Sequence, residues 1–220
     1  MTNSNPHAEA LTAAFNYLKT LEAATDFVYA TDKNGAKVYS KPTTDDKPTN
    51  MPIGKGVARI AKPFTLEQVM ATIRDEKGRK QWDSRFEGME IKDMFDGDSA
   101  EVLVHSLQFG QWPVVSGRDF CITAKNVKES DDKGYVVFTS VQDPKIPEVK
   151  GRVRAHIYCV GWVIEKAKEG EGSSWDLTYF THVDPKGLPN AIVAVVANET
   201  PSCAGTLVAY LEKNGPVEGA

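Results

Sequence analysis

The pair of residues with the clearest chemical potential is Arg79 and Asp83, which lie four positions apart in the segment Arg79-Lys80-Gln81-Trp82-Asp83. In a helix, residues i and i+4 share a face, so this guanidinium and this carboxylate can form an ion pair. A surface pair of this kind contributes only a few tenths of a kcal/mol to stability. The spacing alone therefore predicts an ion pair and indicates no reaction.

Motifs that would indicate catalysis or a metal site are not found in the sequence. It has no G-x-S-x-G, H-E-x-x-H or C-x-x-C, and Gly54-Lys55-Gly56 lacks the spacing and the following Ser or Thr of a phosphate loop. His156 and Cys159 are three apart on a predicted strand, so they point to opposite faces and do not form a zinc pair. We therefore expect a protein that is not an enzyme and has no catalytic residue, metal or cofactor.

The composition is that of a globular domain. Its 220 residues are 41% hydrophobic and 25% charged with a net charge of −4, and a domain of this size can enclose a cavity. No basic stripe indicates a nucleic-acid partner. Cys121, Cys159 and Cys203 are an odd number without paired spacing, which favours a reducing compartment. No apolar run reaches the roughly 20 residues of a membrane span. We expect a cytoplasmic monomer that contacts membranes transiently.

Hydrophobic periodicity predicts a helix, three strands, two helices, six strands and a long C-terminal helix. This order is typical of an α+β fold, and nine strands are enough for an antiparallel sheet to curl around the last helix. Pro201 falls inside that helix and predicts a kink. The predicted helices are 8–24, 65–75, 79–83 and 188–213, and the predicted strands are 26–31, 36–41, 53–61, 87–95, 99–109, 117–127, 135–143, 151–165 and 175–183.

Four segments in a fixed order carry a family resemblance. Arg79–Asp83 is followed by Ser116-Gly117-Arg118-Asp119-Phe120, then by Gly151-Arg152-Val153-Arg154-Ala155, and then by Asp184-Pro185-Lys186-Gly187-Leu188-Pro189 before the last helix. In this arrangement the chain resembles the START family of lipid-transfer domains. The resemblance implies a helix-grip fold, in which a curved antiparallel sheet of about nine strands wraps around a long C-terminal helix and encloses a lipid cavity. It implies a START domain over residues 26–213, preceded by an N-terminal helix in residues 1–25 and followed by a disordered tail in residues 214–220.

The Arg79 segment is most similar to that of the phosphatidylcholine-transfer members of the family. The resemblance implies that Arg79 contacts the phosphate of a phospholipid and that Asp83 orients Arg79. A guanidinium suits this role because its planar fork donates two hydrogen bonds to phosphate oxygens. Phe120 and Tyr158 stand where the family has aromatic rings that contact choline. The function implied is the binding and intermembrane transfer of one phospholipid, such as phosphatidylcholine.

The period of two extends this site to neighbouring strand positions. If Phe120 faces the cavity, Ile122 and Ala124 do as well, and Val160 shares the face of Tyr158. On the preceding strand we expect Leu103, His105 and Leu107 at the cavity. The last helix contributes Ile192 and Val196 on its apolar face. The residues predicted to gate the cavity are Trp112, Pro113, Gly187, Leu188, Pro201 and Gly205.

Two alternatives remain open at this stage. Sterol-binding relatives have an acid and an arginine where this chain has His105 and Ala124, so a sterol or another hydroxyl-bearing lipid would depend on a hydrogen bond from His105. An enzyme on the same scaffold, such as a cyclase or hydrolase, would use His105 or His156 as a base. Arg118 and Asp119 are predicted to form a structural ion pair at a sheet edge.

Overall fold

The computed structural model describes residues 3–44, 46–97, 100–110, 115–168 and 174–217. These residues form five helices and ten strands. The helices are α1 (Ala8–Ala23), α2 (Leu66–Arg74), α3 (Glu76–Trp82), α4 (Asn190–Glu199) and α5 (Cys203–Asn214). The strands are β1 (Val28–Lys33), β2 (Ala36–Lys41), β3 (Ile53–Ile60), β4 (Phe86–Met94), β5 (Val102–Gln108), β6 (Arg118–Ser130), β7 (Lys133–Ser140), β8 (Val153–Arg154), β9 (His156–Lys166) and β10 (Trp175–Asp184).

The strands form one open sheet in the order β1-β2-β3-β10-β9-β7-β6-β5-β4, in which all neighbours are antiparallel. The two-residue strand β8 is an addition, because it pairs in parallel with the start of β6. The predicted α+β helix-grip fold is confirmed, and so are its nine main strands. The first three strands and the last one meet in the middle of the sheet, where β3 pairs with β10.

Helices cover both faces of the sheet. On one face, α1 buries Leu11, Leu18 and Leu21 against the sheet. Gly161 on β9 makes this approach possible, because a Cβ there would lie 2.5 Å from the Leu18 methyl groups. On the other face, which we call the inner face, α2, α3 and α5 pack on a second cluster that includes Phe120 and Ile122.

Local signals fix α2 and α3. Thr65 caps α2, since its hydroxyl accepts from the Gln68 amide while the Gln68 side chain accepts from the Thr65 amide. Asp75 ends α2 and caps α3 by accepting from the Gly78 amide. The chain therefore turns sharply between the two helices, and this turn directs Arg79 toward the inner face.

The predicted C-terminal helix is divided in two. Helix α4 ends at Glu199 and α5 begins at Cys203, because Pro201 has no amide hydrogen to continue the helix. By length and composition alone, the segment Asn190–Asn214 is long and apolar enough to cross a membrane, and an 18-residue window of it has a mean hydropathy of 1.3. In the fold, α5 packs on the sheet and fully buries Leu207 and Leu211.

Candidate functional site

A cavity of about 230 Å³ lies between the inner face of the sheet, α3 and α4. Five adjacent strands contribute to its wall, from β5 across to β10, and α4 closes it on the opposite side. Helix α5 is not part of the wall within the described chain. The C-terminal segment therefore has two roles: α5 belongs to the core and α4 covers the cavity.

Most of the wall is apolar. The structure places five predicted apolar contacts there, and Ala124 lies on the same face but deeper in the core, outside the wall. Alternation along β6 thus has the expected phase. The five predicted apolar contacts on the wall are Phe120, Ile122, Val160, Ile192 and Val196.

The predicted phase of β5 needs a correction. Ser106 pairs with Phe120 and His105 pairs with Cys121. Because directly paired strand residues share a face, Ser106 faces the cavity and His105 faces away from it. Leu103 packs with Cys121 on that far face, and Leu107 is also absent from the cavity wall. The prediction of Leu103, His105 and Leu107 as ligand contacts was out of phase by one residue.

His105 instead belongs to a charged cluster on the far face. Its Nε2 lies 3.2 Å from Oδ2 of the buried Asp119, which also accepts from Arg154 Nη2 at 2.7 Å. Arg118 points the other way and donates to the carbonyls of Pro185 at 3.1 Å and Lys186 at 2.9 Å. The predicted Arg118–Asp119 ion pair was therefore wrong, because successive strand residues point to opposite faces. Arg118 instead holds the loop that precedes α4.

Tyr158 does not reach the cavity either. The pairing of β9 with β10 shifts between His182 and Val183, which leaves Tyr158 as the extra residue of a β-bulge. Its ring lies 4.8 Å from the His182 ring, and its hydroxyl donates to the Pro48 carbonyl at 2.9 Å. Ile157 takes the cavity position instead. Of the two rings that the resemblance assigned to choline, only Phe120 faces the cavity.

Three charged residues meet at the inner end of the cavity. Arg79 Nη2 lies 3.3 Å from Oδ2 of Asp83, which is 2% exposed, and the side-chain Nε of Arg85 lies 3.4 Å from Oδ1. Burial alone would raise the pKa of Asp83, but Arg85 and Arg79 outweigh burial and hold it below its ordinary value. The predicted pair is therefore a triad in which one carboxylate joins two arginines.

Arg85 was not predicted. It crosses the inner end of the cavity and donates to Thr200 Oγ1 at the end of α4 and to Cys203 Sγ at 3.3 Å. The available signal was its position two residues after Asp83, which places it where the chain leaves α3 and enters β4. Burial opposes a charge on Arg85, but Asp83 and the hydrogen bond that Cys203 accepts raise its pKa above the ordinary value. Arg85 therefore stays protonated and links α3 to the α4–α5 break.

Two buried donors at this end have no acceptor within the described part of the chain. They are Arg79 Nε and Trp82 Nε1, and both side chains line the cavity. The Arg79 guanidinium lies 5.8 Å from the Trp82 ring centroid and 4.4 Å from that of Phe86. Buried donors are almost always matched in proteins, so these two indicate a site for an acceptor group. An oxyanion with several oxygens can meet both donors.

The cavity has an apolar mouth. Phe109 after β5 and Val195 on α4 line it while remaining 59% and 52% exposed. Met51 and Leu188 lie beside them in a small cluster with Val193. Phe109, Val195 and Met51 were missed by the sequence reasoning. Phe109 and Met51 are single apolar residues next to turns, which carry no periodic signal.

The predicted gate residues fall in three places. Leu188 lines the mouth, and Gly187 next to it has a φ of +64°, which favours glycine. Pro201 and Gly205 lie away from the cavity wall and pack on the sheet and on the β1–β2 turn. Trp112 and Pro113 fall outside the described residues.

The buried thiols have the properties of poor nucleophiles. All three cysteines are free and buried, and burial raises the pKa of Cys159 to about 12 and that of Cys203 to about 11. A thiol that remains protonated at neutral pH is a poor nucleophile. Within the described ranges, no three His, Cys, Asp or Glu side chains are grouped to hold a metal ion.

Solved structures with the same architecture support the fold. Human StAR-related lipid transfer protein 5 has a TM-score of 0.78 and 21% identity, over 94% of this chain and 96% of that one. Human STARD10 has a TM-score of 0.73 and 19% identity, over 91% and 79% of the two chains. A fragment of a STAR-related lipid transfer protein from Xanthomonas axonopodis has a TM-score of 0.66 and 24% identity, over 84% and 98%.

Sequence comparison agrees with the architecture. No protein with a curated description matches the chain, whereas the family model of the START domain matches residues 20–216. The match spans both the Arg79–Asp83 segment and the two C-terminal helices. The chain therefore belongs to the START family of lipid-transfer domains.

Proposed function

We propose that this protein binds one phospholipid in its cavity and carries it between membranes without changing it chemically. The observation that carries the proposal is the pair of unmatched buried donors, Arg79 Nε and Trp82 Nε1, at the inner end of an apolar cavity. A phosphate supplies the acceptors, and Asp83 holds the Arg79 guanidinium in place. The head group thus lies at the inner end, with the acyl chains toward the mouth.

The wall suits acyl chains. Side chains such as Ile122, Val160 and Val196 present aliphatic surface along the path from the inner end to the mouth. Each methylene group transferred from water to such a surface contributes about 0.8 kcal/mol. Chain contacts therefore supply most of the affinity, while Arg79 and Trp82 orient the lipid. Phosphatidylcholine, the head group predicted from the sequence, is one member of the class.

The two alternatives receive less support. A sterol bound through His105, or a reaction with His105 or His156 as base, requires one of these side chains at the cavity wall. Neither histidine lines the wall in the described chain, and His105 is already paired with Asp119. A sterol adduct remains an informative outcome of the binding experiment.

The test is native mass spectrometry after incubation with vesicles that contain phosphatidylcholine, phosphatidylglycerol and cholesterol. We expect a one-to-one phospholipid adduct whose extracted lipid has an unchanged mass. Arg79→Ala should weaken phospholipid binding by roughly 10- to 150-fold, because it removes a charge-assisted hydrogen bond. Lys80→Ala is the matched control, since Lys80 is an exposed cation on the same helix, paired only with Glu76 among described residues. Binding of cholesterol but no phospholipid would overturn the proposal.

Transfer needs a separate measurement, because a lipid sensor also binds lipid but does not move it between membranes. Movement of a fluorescent phospholipid from donor to acceptor vesicles should increase in proportion to protein concentration. Fractionation of cells that express the full chain would test the cytoplasmic location predicted from the sequence. A protein that binds phospholipid but never raises the transfer rate would contradict the carrier role.

A further inference from the structure

We propose that the inner end of the cavity selects lipids by net charge: it prefers a head group with one net negative charge to a zwitterionic one, and Arg85 sets this preference. The inference deepens the proposed function and rests on it. The group recognised is an oxyanion, either a phosphodiester with an uncharged substituent or a carboxylate.

The inner end carries an excess of positive charge. Arg79 and Arg85 are two cations, and Asp83, which contacts both, is one anion, so the triad has a net charge of +1. Glu199 also lines the cavity, but it is paired with Lys33 at 3.1 Å. Arg118, farther along the wall, is itself a cation, and its donors bind backbone carbonyls. An excess charge on partly buried side chains is unfavourable until an opposite charge joins it.

Arg85 is the source of that excess. Asp83 already forms an ion pair with Arg79, and the remaining described partners of Arg85 are the hydroxyl of Thr200 and the thiol of Cys203. Burial raises the pKa of this thiol to about 11, so it is neutral at physiological pH. Neither group offsets the charge of the guanidinium. An anion at the inner end offsets it and also supplies the acceptor that Arg79 Nε lacks.

A zwitterionic head group does not solve this problem. Its ammonium is tethered to the phosphate by a two-carbon link and enters the same positive field, where it needs a free carboxylate or open aromatic faces. Asp83 is occupied by two arginines. Trp162 and Tyr179 are stacked on each other at 4.0 Å, and the Arg79 guanidinium covers Phe86 at 4.4 Å. With Tyr158 on the far side of the sheet, one of the two rings that the resemblance assigned to choline is missing from the cavity.

The experiment is a competition between lipids with matched acyl chains. The full-length protein is incubated with vesicles of equal phosphatidylglycerol and phosphatidylcholine content, and the adducts are counted by native mass spectrometry. We expect phosphatidylglycerol to be favoured at least about tenfold. Arg85→Gln, which makes the triad neutral, should bring the ratio close to one, whereas Arg85→Lys keeps the charge and should keep the preference. Circular dichroism establishes that each variant is folded, and the Arg85→Lys variant keeps the test valid if the Arg85→Gln variant unfolds.

Failures of the two proposals give different results. Equal loading of both phospholipids by the wild type would overturn the charge rule but leave the phospholipid proposal standing. A parallel incubation with oleate distinguishes a carboxylate ligand from a phosphodiester ligand. An oleate adduct without any phospholipid adduct would overturn the phospholipid assignment and support the charge rule. A ratio that stays tenfold in Arg85→Gln would overturn the role of Arg85.

Discussion

Gly56 on β3 lies so close to Pro201 that a Cβ at position 56 would stand 1.9 Å from the Pro201 carbonyl oxygen. Gly54 receives the ring of the same proline, since a Cβ there would be 2.4 Å from its Cγ. The break between α4 and α5 thus packs directly against two glycines of β3. This contact fixes the start of α5 to the sheet, so we expect motion that opens the cavity to occur in α4.

Substitution of Gly56 should cost stability. Gly56→Ala forces β3 and the α4–α5 break apart, and overpacking of this kind lowers the free energy of unfolding by about 1–3 kcal/mol. Urea denaturation measures the change. Gly88→Ala is the control, because a Cβ there would meet only the ends of flexible side chains, at 3.4 Å or more. An equal effect of the two substitutions would contradict this account of the contact.

The mouth residues should control the transfer rate without controlling affinity. Phe109→Ser and Val195→Ser remove exposed apolar side chains at the rim of the cavity, which we expect to insert into the membrane interface. Vesicle-to-vesicle transfer should slow several-fold, whereas the amount of bound phospholipid should not change. Met94→Ser removes an apolar side chain that is 69% exposed and lies away from the cavity wall. It should leave transfer unchanged, and a slowing equal to that of Phe109→Ser would rule out a specific role for the mouth.

His182 should make the fold sensitive to acid. It is fully buried, with Nδ1 2.9 Å from the Tyr17 hydroxyl and Nε2 2.8 Å from Thr43 Oγ1. Burial, reinforced by Lys47, lowers its pKa from 6.5 to about 4. Below pH 6.5 the unfolded chain binds a proton that the folded chain does not, so the free energy of unfolding falls as pH drops toward 4. The expected loss between pH 7 and pH 5 is roughly 2 kcal/mol.

Urea denaturation across this pH range checks the expectation. His182→Gln should flatten the pH dependence, although it also lowers stability at neutral pH. His156, whose pKa is lowered mainly by burial, lies close to His182 through Tyr158. His156→Gln therefore serves as the second variant that separates the two histidines. The assignment fails if His182→Gln keeps the wild-type slope.

Loss of the His105 side chain should not affect lipid binding. His105 contacts Asp119 on the far face of the sheet, so His105→Leu should lower the thermal midpoint and leave the phospholipid adduct intact. Native mass spectrometry below the midpoint makes the comparison. Loss of a cholesterol or phospholipid adduct in a folded His105→Leu protein would return this residue to the binding site.

Periodicity predicted the element order because each strand buries a regular face. Phe120 and Ile122 were placed correctly by the same rule, since β6 is regular through this region. Tyr158 and His105 were not. The bulge at Tyr158 is set by how β9 pairs with β10, and the phase of β5 is set by its register on β6. Both depend on partner strands distant in sequence, which a local pattern does not contain.

Only two of the three residues of the triad could be predicted from the sequence. Arg79 and Asp83 are linked by helical spacing and by the family resemblance, whereas Arg85 meets Thr200 and Cys203 across more than 100 residues. Its role follows from the tertiary path of the chain and has no local signature. The Gly56–Pro201 contact also has no local signature. From the sequence, Gly56 was only a residue of a predicted strand and Pro201 only a predicted helix kink.

The two C-terminal helices are packed unequally, and we expect this difference to decide which of them moves when the cavity opens. Helix α4 buries only Val193 among its ten residues, whereas α5 buries six of its twelve. Regions with few buried apolar contacts open at a much lower free-energy cost than the core. The amide protons of α4 should therefore exchange with solvent through local opening, while those of α5 should exchange only when the whole domain unfolds. We expect lipid to pass beneath α4 while the sheet and α5 remain folded.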